Sequence, residues 1–377
     1  MSSMYIHIPF CLTRCRYCDF FSTTADATER DNYVALLVRH LELLKYNIAT
    51  NTDLQTIYFG GGTPSLLTID QLELLLRTCS KVFGIAANAE ITIEVNPGTF
   101  ERPYLHQLHT IGFNRLSIGI QSFDSGQLLR LGRCHTHEQS LESVKAARSA
   151  GFDNLSLDLM FALPGQDTDN LDREVDQLLQ QTPEHISVYG LTVEEGTEFG
   201  RLQRQGKLTV ADEEEYAQQY ELLRERFCTA GYEHYELSNF AVPGRRCRHN
   251  LCYWQRRNCL AVGCGAHSFV ENGYGERWHI PADLQRYRQR LEAGLDPAEK
   301  LEAFDRTGAM KETVYLALRT SDGIDPSAFE RRFGESFHNA FPIATEALAK
   351  VLLQSPQRVA LGSQHWLIYD HLISTFL

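Results

Sequence analysis

The sequence predicts an α/β fold in which six strand-helix units form an open, partial (β/α)6 barrel, followed by a smaller, mainly helical C-terminal domain. Three observations carry this. Short β-rich segments recur between helical ones at intervals of roughly 25 to 50 residues, as alternating β/α units require. Several are apolar at alternate positions and are separated by helical stretches that suit crossovers over a parallel sheet. Polar residues fall at or near the C-terminal ends of these segments, where barrel chemistry sits, while six units are too few to close an eight-unit barrel.

The first strand covers Met4 to Pro9. Val34, Leu37, Val38, Leu41, Leu44 and Ile48 then recur at helical spacing, with Asp31 available as a cap. The second strand, Thr56 to Phe59, leads to a helix with the apolar stripe Leu72, Leu75, Leu76, Cys79 and Phe83. Glu90 to Val95, Arg115 to Ile120, Asn154 to Met160 and His185 to Leu191 complete the strands, and Tyr216, Tyr220, Leu223 and Phe227 mark a helix after the last. Beyond about Gly231 the pattern breaks into a Gly-, Arg- and Cys-rich stretch. A mostly helical tail is expected from Asp283, where Leu348, Val351 and Leu352 precede a strand-like Trp366 to Tyr369, a winged-helix-like pattern. The expected division is therefore residues 1–235 and 236–377.

Composition narrows the function. Thirty-six basic against 48 acidic residues give a net charge of −12 in 377 residues, a poor counterion for phosphate backbones, so no nucleic-acid partner is expected. No apolar run reaches the length of a membrane span and no signal-peptide pattern precedes Tyr5, which makes the cytoplasm the expected compartment. Ten cysteines in a reducing compartment are read for metal chemistry. Cys79, Cys134 and Cys228 stand alone and read as buried small apolar residues. Cys11, Cys15 and Cys18 crowd one loop after the first strand and supply three thiolates. A structural zinc site and an ordinary 4Fe-4S cluster each take four ligands, so three leave a position open for chemistry unless a distant residue such as His7 completes a zinc site. After the second strand, Gly60-Gly61-Gly62-Thr63-Pro64 lets backbone amides approach a ligand.

The cysteine spacing with this glycine run resembles the radical S-adenosylmethionine (SAM) superfamily, over about 230 residues and in motif order along the β/α units. The resemblance implies that Cys11, Cys15 and Cys18 bind a 4Fe-4S cluster, that the unligated iron binds SAM, and that one electron from the cluster, which a separate donor reduces, cleaves it to a 5′-deoxyadenosyl radical. Carried over singly, it implies SAM contacts for Tyr5, Tyr17, Gly61, Gly62 and Thr63. It implies the same for Glu94 in Glu-Val-Asn-Pro and for Gln121, Arg133 and Asp158 on later strands and their loops. On residue type alone, Asp158 could equally bond neighbouring backbone and Arg133 could be a surface cation.

Tyr5 to Cys18 together with Ile118-Gly-Ile-Gln121-Ser-Phe resembles the coproporphyrinogen oxidase-like branch, which holds oxygen-independent coproporphyrinogen dehydrogenases and heme chaperones. Phe20 stands where the dehydrogenases place a fourth cysteine, and ten residues precede Cys11 where they carry a long closing segment. His249-Asn250-Leu251-Cys252-Tyr253-Trp254 resembles the heme motif of the chaperones, which implies that His249 ligates iron with Asn250, Tyr253 and Trp254 beside it. Arg245, Arg246, Arg248, Arg256 and Arg257 could meet heme propionates. Cys247, Cys252, Cys264, His249 and His267 could instead form a zinc cluster, although their spacing fits no usual pair-and-pair pattern. The expected function is a heme chaperone that carries a SAM-binding cluster and passes heme to respiratory acceptor proteins, peripherally at the inner membrane, with a homodimer left open. The alternatives are a radical SAM coproporphyrinogen dehydrogenase and a non-catalytic regulator that binds cluster and SAM.

Overall fold

The structure, a computed structural model, describes residues 2–47 and 53–377. All six expected strands are present: β1 Ser2–Ile8, β2 Leu54–Gly61, β3 Ile85–Val95, β4 Arg115–Gln121, β5 Leu155–Phe161 and β6 His185–Gly190. They pair in parallel in sequence order. Because side chains alternate across a strand, Met4, Ile6 and Ile8 join the main apolar core while Tyr5 and His7 share the other face.

The expected helical stripes are packing faces. In the helix Ala27–Asn47, Val34, Leu37, Leu41 and Leu44 are buried and Val38 is half-buried; Ile48 lies outside the described residues. Asp31 is not its cap. Asp26 and Glu29 exchange reciprocal side-chain to backbone hydrogen bonds at 2.8 and 3.0 Å, a capping box that starts the helix earlier, and Asp31 accepts from Gln71 at 2.6 Å instead. The helix Ile69–Phe83 buries the whole predicted stripe, and Glu213–Thr229 buries Tyr220, Leu223 and Phe227, with Tyr216 half-buried.

The stretch after Gly231 holds more order than its composition suggests. Six strands of three to five residues lie there: β7 Glu233–Glu236, β8 Asn239–Ala241, β9 Cys259–Val262, β10 His267–Val270, β11 Glu276–His279 and β12 Glu299–Ala303. Strands this short carry one or two alternations, too few for a periodic signal. β8 runs antiparallel on β6, and β9 runs parallel on the free side of β1. One sheet of order β12-β11-β10-β9-β1-β2-β3-β4-β5-β6-β8-β7 results, and it continues through residue 235 without a break.

A second apolar core gathers Phe329, Phe333, Phe337, Phe341, Trp366 and Tyr369 from residues 309–376, with a hairpin of β13 Leu352–Ser355 and β14 Arg358–Leu361. Trp366 to Tyr369 is helical rather than a strand: the 3-10 segment Ser363–Ile368 runs into the helix Tyr369–Ile373, and the three-residue spacing puts both buried rings on one side. The helix Leu284–Glu292, capped by Asp283, begins where the helical tail was expected, but β12 interrupts before helices resume at Arg306. Glu312, on the helix Arg306–Ala317, joins the sheet to this second core by pairing with Arg256 and, at 2.5 Å, with Arg277. No helix among the described residues is long and apolar enough to cross a membrane.

Candidate functional site

At the C-terminal ends of the parallel strands lies a cavity of about 450 Å³. Cys11, Cys15, Tyr17, Cys18, Gly61, Gly62, Thr63, Glu94, Gln121, Arg133 and Asp158, eleven of the twelve residues expected around cluster and SAM, line it together. The twelfth, Tyr5, does not. Its ring sits beneath the cavity beside Tyr58, centroids 6.1 Å apart, and its hydroxyl meets His7 Nδ1 at 3.2 Å.

Glycine is required where the wall approaches the cysteine loop. Gly61 has φ +113, and a Cβ there would lie 2.5 Å from the His7 ring. A Cβ on Gly62 would lie 2.7 Å from the Phe10 carbonyl oxygen. Gln121 holds φ +68, a strained value for a side-chain-bearing residue, at the cavity wall.

Arg133 is no surface cation. It is half-buried, faces Tyr17, and donates to Cys15 Sγ at 3.6 Å, to Asn96 Oδ1 at 2.5 Å and to the Gly119 carbonyl at 2.8 Å. Thr63 donates its hydroxyl to Cys11 Sγ at 3.6 Å. Burial pushes the Cys11 and Cys18 thiols up, and the neighbouring cysteines add to it. Three thiols from one loop with donors aimed at two sulfurs fit a thiolate-bound cluster, whose iron would replace the protons and whose negative charge the donors would offset.

The carboxylates have a complementary need. Burial pushes Glu94 up to about 7, with Asp158 adding repulsion, and burial pushes Asp158 up to about 6. Glu94 accepts from the Tyr58 hydroxyl at 2.9 Å and the Gly61 N–H at 3.1 Å, and Asp158 accepts from Ser117 at 3.2 Å. Two carboxylates that burial strips of water gain from a cation beside them, which suits the sulfonium and ammonium of SAM.

The segment expected to bind heme lies beneath this cavity. His249 to Trp254 form most of the helix Arg248–Trp254, whose first N–H groups, those of Arg248 and His249, donate to Glu90 on β3 at 3.1 and 3.0 Å. The His249 ring is buried. Its Nδ1 meets Thr56 Oγ1 at 2.7 Å, its Nε2 meets the Tyr253 hydroxyl at 2.9 Å, and it stacks on Tyr58 with centroids 5.1 Å apart. Burial, with Arg115 nearby, lowers His249 to about 3. The imidazole is therefore neutral with both nitrogens engaged, and this conformation does not present it to a ligand. Tyr253 shares its bond, Asn250 is half-buried on the same helix, and Trp254, half-buried too, lies under the Arg319 guanidinium, 3.7 Å from the ring centroid.

Four of the five arginines expected to meet propionates are held within the chain. Arg245 pairs with Asp153, Arg246 with Glu233 and Asp322, and Arg256 with Glu312, while Arg248 donates to the Asn88 carbonyl. The zinc alternative disperses: Cys252 meets Ser3, Cys247 faces Glu90, and Cys264 donates to the Pro281 carbonyl. Of the lone cysteines only Cys79 is buried; Cys134 and Cys228 are exposed, Cys134 on the cavity wall and Cys228 in the last turn of its helix. Sequence reasoning missed Tyr58, Glu90 and Asn96. Asn96 had a signal, since it stands two residues after Glu94 in the same extended segment and so shares its face.

Comparisons with known proteins establish the family and the fold. Residues 5–178 match the model of the radical SAM superfamily, and residues 304–355 match that of the HemN C-terminal domain. Heme chaperone HemW of Lactococcus lactis is 32% identical over 100% of this chain and 97% of its own length. The Bacillus subtilis protein of that name is 33% identical over 100% and 99%. Among solved structures, coproporphyrinogen III oxidase (HemN) from Escherichia coli superposes with a TM-score of 0.85 over 99% of this chain and 89% of that one, at 21% identity, a likeness of fold. With such similarity running through both chains from end to end, this chain belongs to the HemW family of the radical SAM superfamily.

Proposed function

We propose that the chain is a heme chaperone, one that binds heme and hands it to acceptor proteins while carrying a 4Fe-4S cluster and SAM. The observation that carries this is the end-to-end similarity to proteins named heme chaperone. On this reading Cys11, Cys15 and Cys18 hold the cluster. Glu94, Gln121, Asp158, Tyr17, Gly61, Gly62 and Thr63 receive SAM, and Arg133 steadies both. When bound and reduced, the cluster supplies an electron for cleavage of the sulfonium. The chain's own residues orient the ligand: Gly61 and Gly62 allow its close approach, and Glu94 and Asp158 meet its positive groups in a partly water-excluded wall.

Heme uptake on this reading starts from a closed state. For His249 to reach iron, its ring must leave Thr56 and Tyr253, so the helix Arg248–Trp254 withdraws from beneath the barrel when heme binds. Tyr253 and Trp254 then pack on the porphyrin and Asn250 flanks it. The acceptors are respiratory enzymes met at the cytoplasmic face of the inner membrane, a separate donor reduces the cluster, and two copies associate as a homodimer.

The test is an anaerobic heme titration of cluster-reconstituted protein, following the Soret band in wild type and His249→Ala, with coproporphyrinogen turnover assayed in parallel. A saturable one-to-one shift that the variant loses supports the chaperone and the ligand. Decarboxylated product without stoichiometric heme uptake transfers the reading to the dehydrogenase.

A further inference from the structure

A belt of hydrogen bonds runs along the cavity wall from one cysteine of the loop to another. Arg133 donates to Cys15 Sγ at 3.6 Å and to Asn96 Oδ1 at 2.5 Å. Asn96 Nδ2 donates to Thr63 Oγ1 at 2.9 Å, and Thr63 donates to Cys11 Sγ at 3.6 Å. Asn96 is the middle of the belt, and its chemistry fixes the direction of every bond in it. A guanidinium has donors and no acceptor, so the amide oxygen of Asn96 must face Arg133 and its NH2 must face Thr63. That NH2 occupies an acceptor lone pair of the Thr63 hydroxyl. The single hydroxyl proton is left for the sulfur of Cys11.

The side chain is well placed to do this. Asn96 lies just beyond β3 and is half-buried on the cavity wall, while its own N–H reaches Ser65 Oγ at 3.5 Å. Arg133 is further anchored by the Gly119 carbonyl at 2.8 Å, so its second arm is aimed rather than free. Two cluster ligands from different positions of the loop thus each receive a donor from this belt, and a single amide orients both donors.

We propose that Asn96 is a positioning residue that directs hydrogen bonds onto the Cys11 and Cys15 sulfurs and thereby raises the reduction potential of the cluster they hold. Hydrogen bonds to sulfur stabilise the more negative, reduced cluster, so their loss lowers the potential. The inference rests on the cluster reading of the three cysteines.

The experiment uses the full chain, reconstituted anaerobically with iron and sulfide, and follows the reduced-cluster EPR signal through a redox titration without SAM. Wild type is compared with Asn96→Ala and Asn96→Leu, the second keeping the shape of the side chain without its polar atoms or any new charge. Thr63→Val opens the belt at its Cys11 end alone. The expected result is a more negative midpoint in both Asn96 variants and a smaller shift of the same sign in Thr63→Val, at unchanged iron and sulfide content. Midpoints equal to wild type in loaded Asn96 variants overturn the proposal. So does a folded but cluster-free Asn96→Leu, which would make the residue a requirement for assembly. If the wild-type chain itself takes up no cluster, it is the cluster reading that fails.

Discussion

The Tyr58 hydroxyl donates to Glu94 at 2.9 Å, so an aromatic residue of β2 holds a carboxylate of β3 against the cavity. Tyr58→Phe removes this bond and leaves a buried carboxyl with one fewer donor. The expected effect is SAM binding weakened at least about tenfold, since a hydrogen bond to a charged group contributes about 1.5–3 kcal/mol. Calorimetric titration at pH 8 measures it; an unchanged affinity would remove Glu94 from the SAM contacts.

Glu94 also sets a pH dependence. Burial and Asp158 raise it to about 7, so it gains a proton as pH falls through that value and becomes a weaker partner for a cation. SAM affinity is expected to fall below pH 7. For the free protein the sign is opposite: between the ordinary carboxyl pKa and about 7 the folded state holds more protons than the unfolded, so this group's contribution to stability declines as pH rises across that window. Glu94→Gln should therefore gain stability relative to wild type at pH 8, on the order of 2 kcal/mol, and little at pH 5. Urea unfolding at the two pH values distinguishes the cases.

Buried histidines act at the acid side. Burial lowers His249 and His234 to about 3 and His7 and His135 to about 4. Below the unfolded pKa near 6.5 the unfolded chain binds protons that the folded chain refuses, so stability is present above that pH and is lost as pH falls toward 4. Thermal unfolding followed from pH 7.5 to 5 should show this steepening, and His249→Gln should lower the slope by about one proton.

Glu90 receives the N–H groups of Arg248 and His249 and the Cys247 thiol, which ties the motif helix to β3. Glu90→Ala strands buried donors and should cost about 2–3 kcal/mol. If heme uptake requires the helix to withdraw, the same variant should take up heme faster than wild type in stopped flow, despite its lower stability. Slower uptake would contradict withdrawal.

Glu312→Ala leaves Arg256, largely buried, without its carboxylate and loosens the contact between the sheet and the second core. The expected loss is about 3–5 kcal/mol, read by chemical denaturation.

Much of this architecture is written locally. Strands such as Leu155–Phe161 alternate over seven residues, and the stripe from Leu72 to Phe83 repeats over three turns, so both show in the sequence. The cavity was legible because its residues stand at strand ends or in tight loops whose order the barrel fixes. Asp31 misled because a capping residue is told apart from its neighbours by a reciprocal partner, and Glu29 completes the box with Asp26. That Tyr5 and His249 pack beneath the cavity was not legible for a different reason. A motif names residue types, whereas which of them faces a ligand depends on contacts with Thr56 and Tyr58, nearly two hundred positions from His249. No local pattern carries that information.

Because the helix Arg248–Trp254 packs beneath the first strands and β9 pairs with β1, the division of labour along the chain is not a division of foldable pieces. A fragment ending at residue 235 would contain every residue assigned to the cluster and SAM, yet Ser3, Thr56 and Glu90 would lose their partners and the tube would be open to water from below. A fragment ending at residue 303 would keep the helix Arg248–Trp254 and the full twelve-stranded sheet. Truncation at residue 235 would separate a vessel from its base.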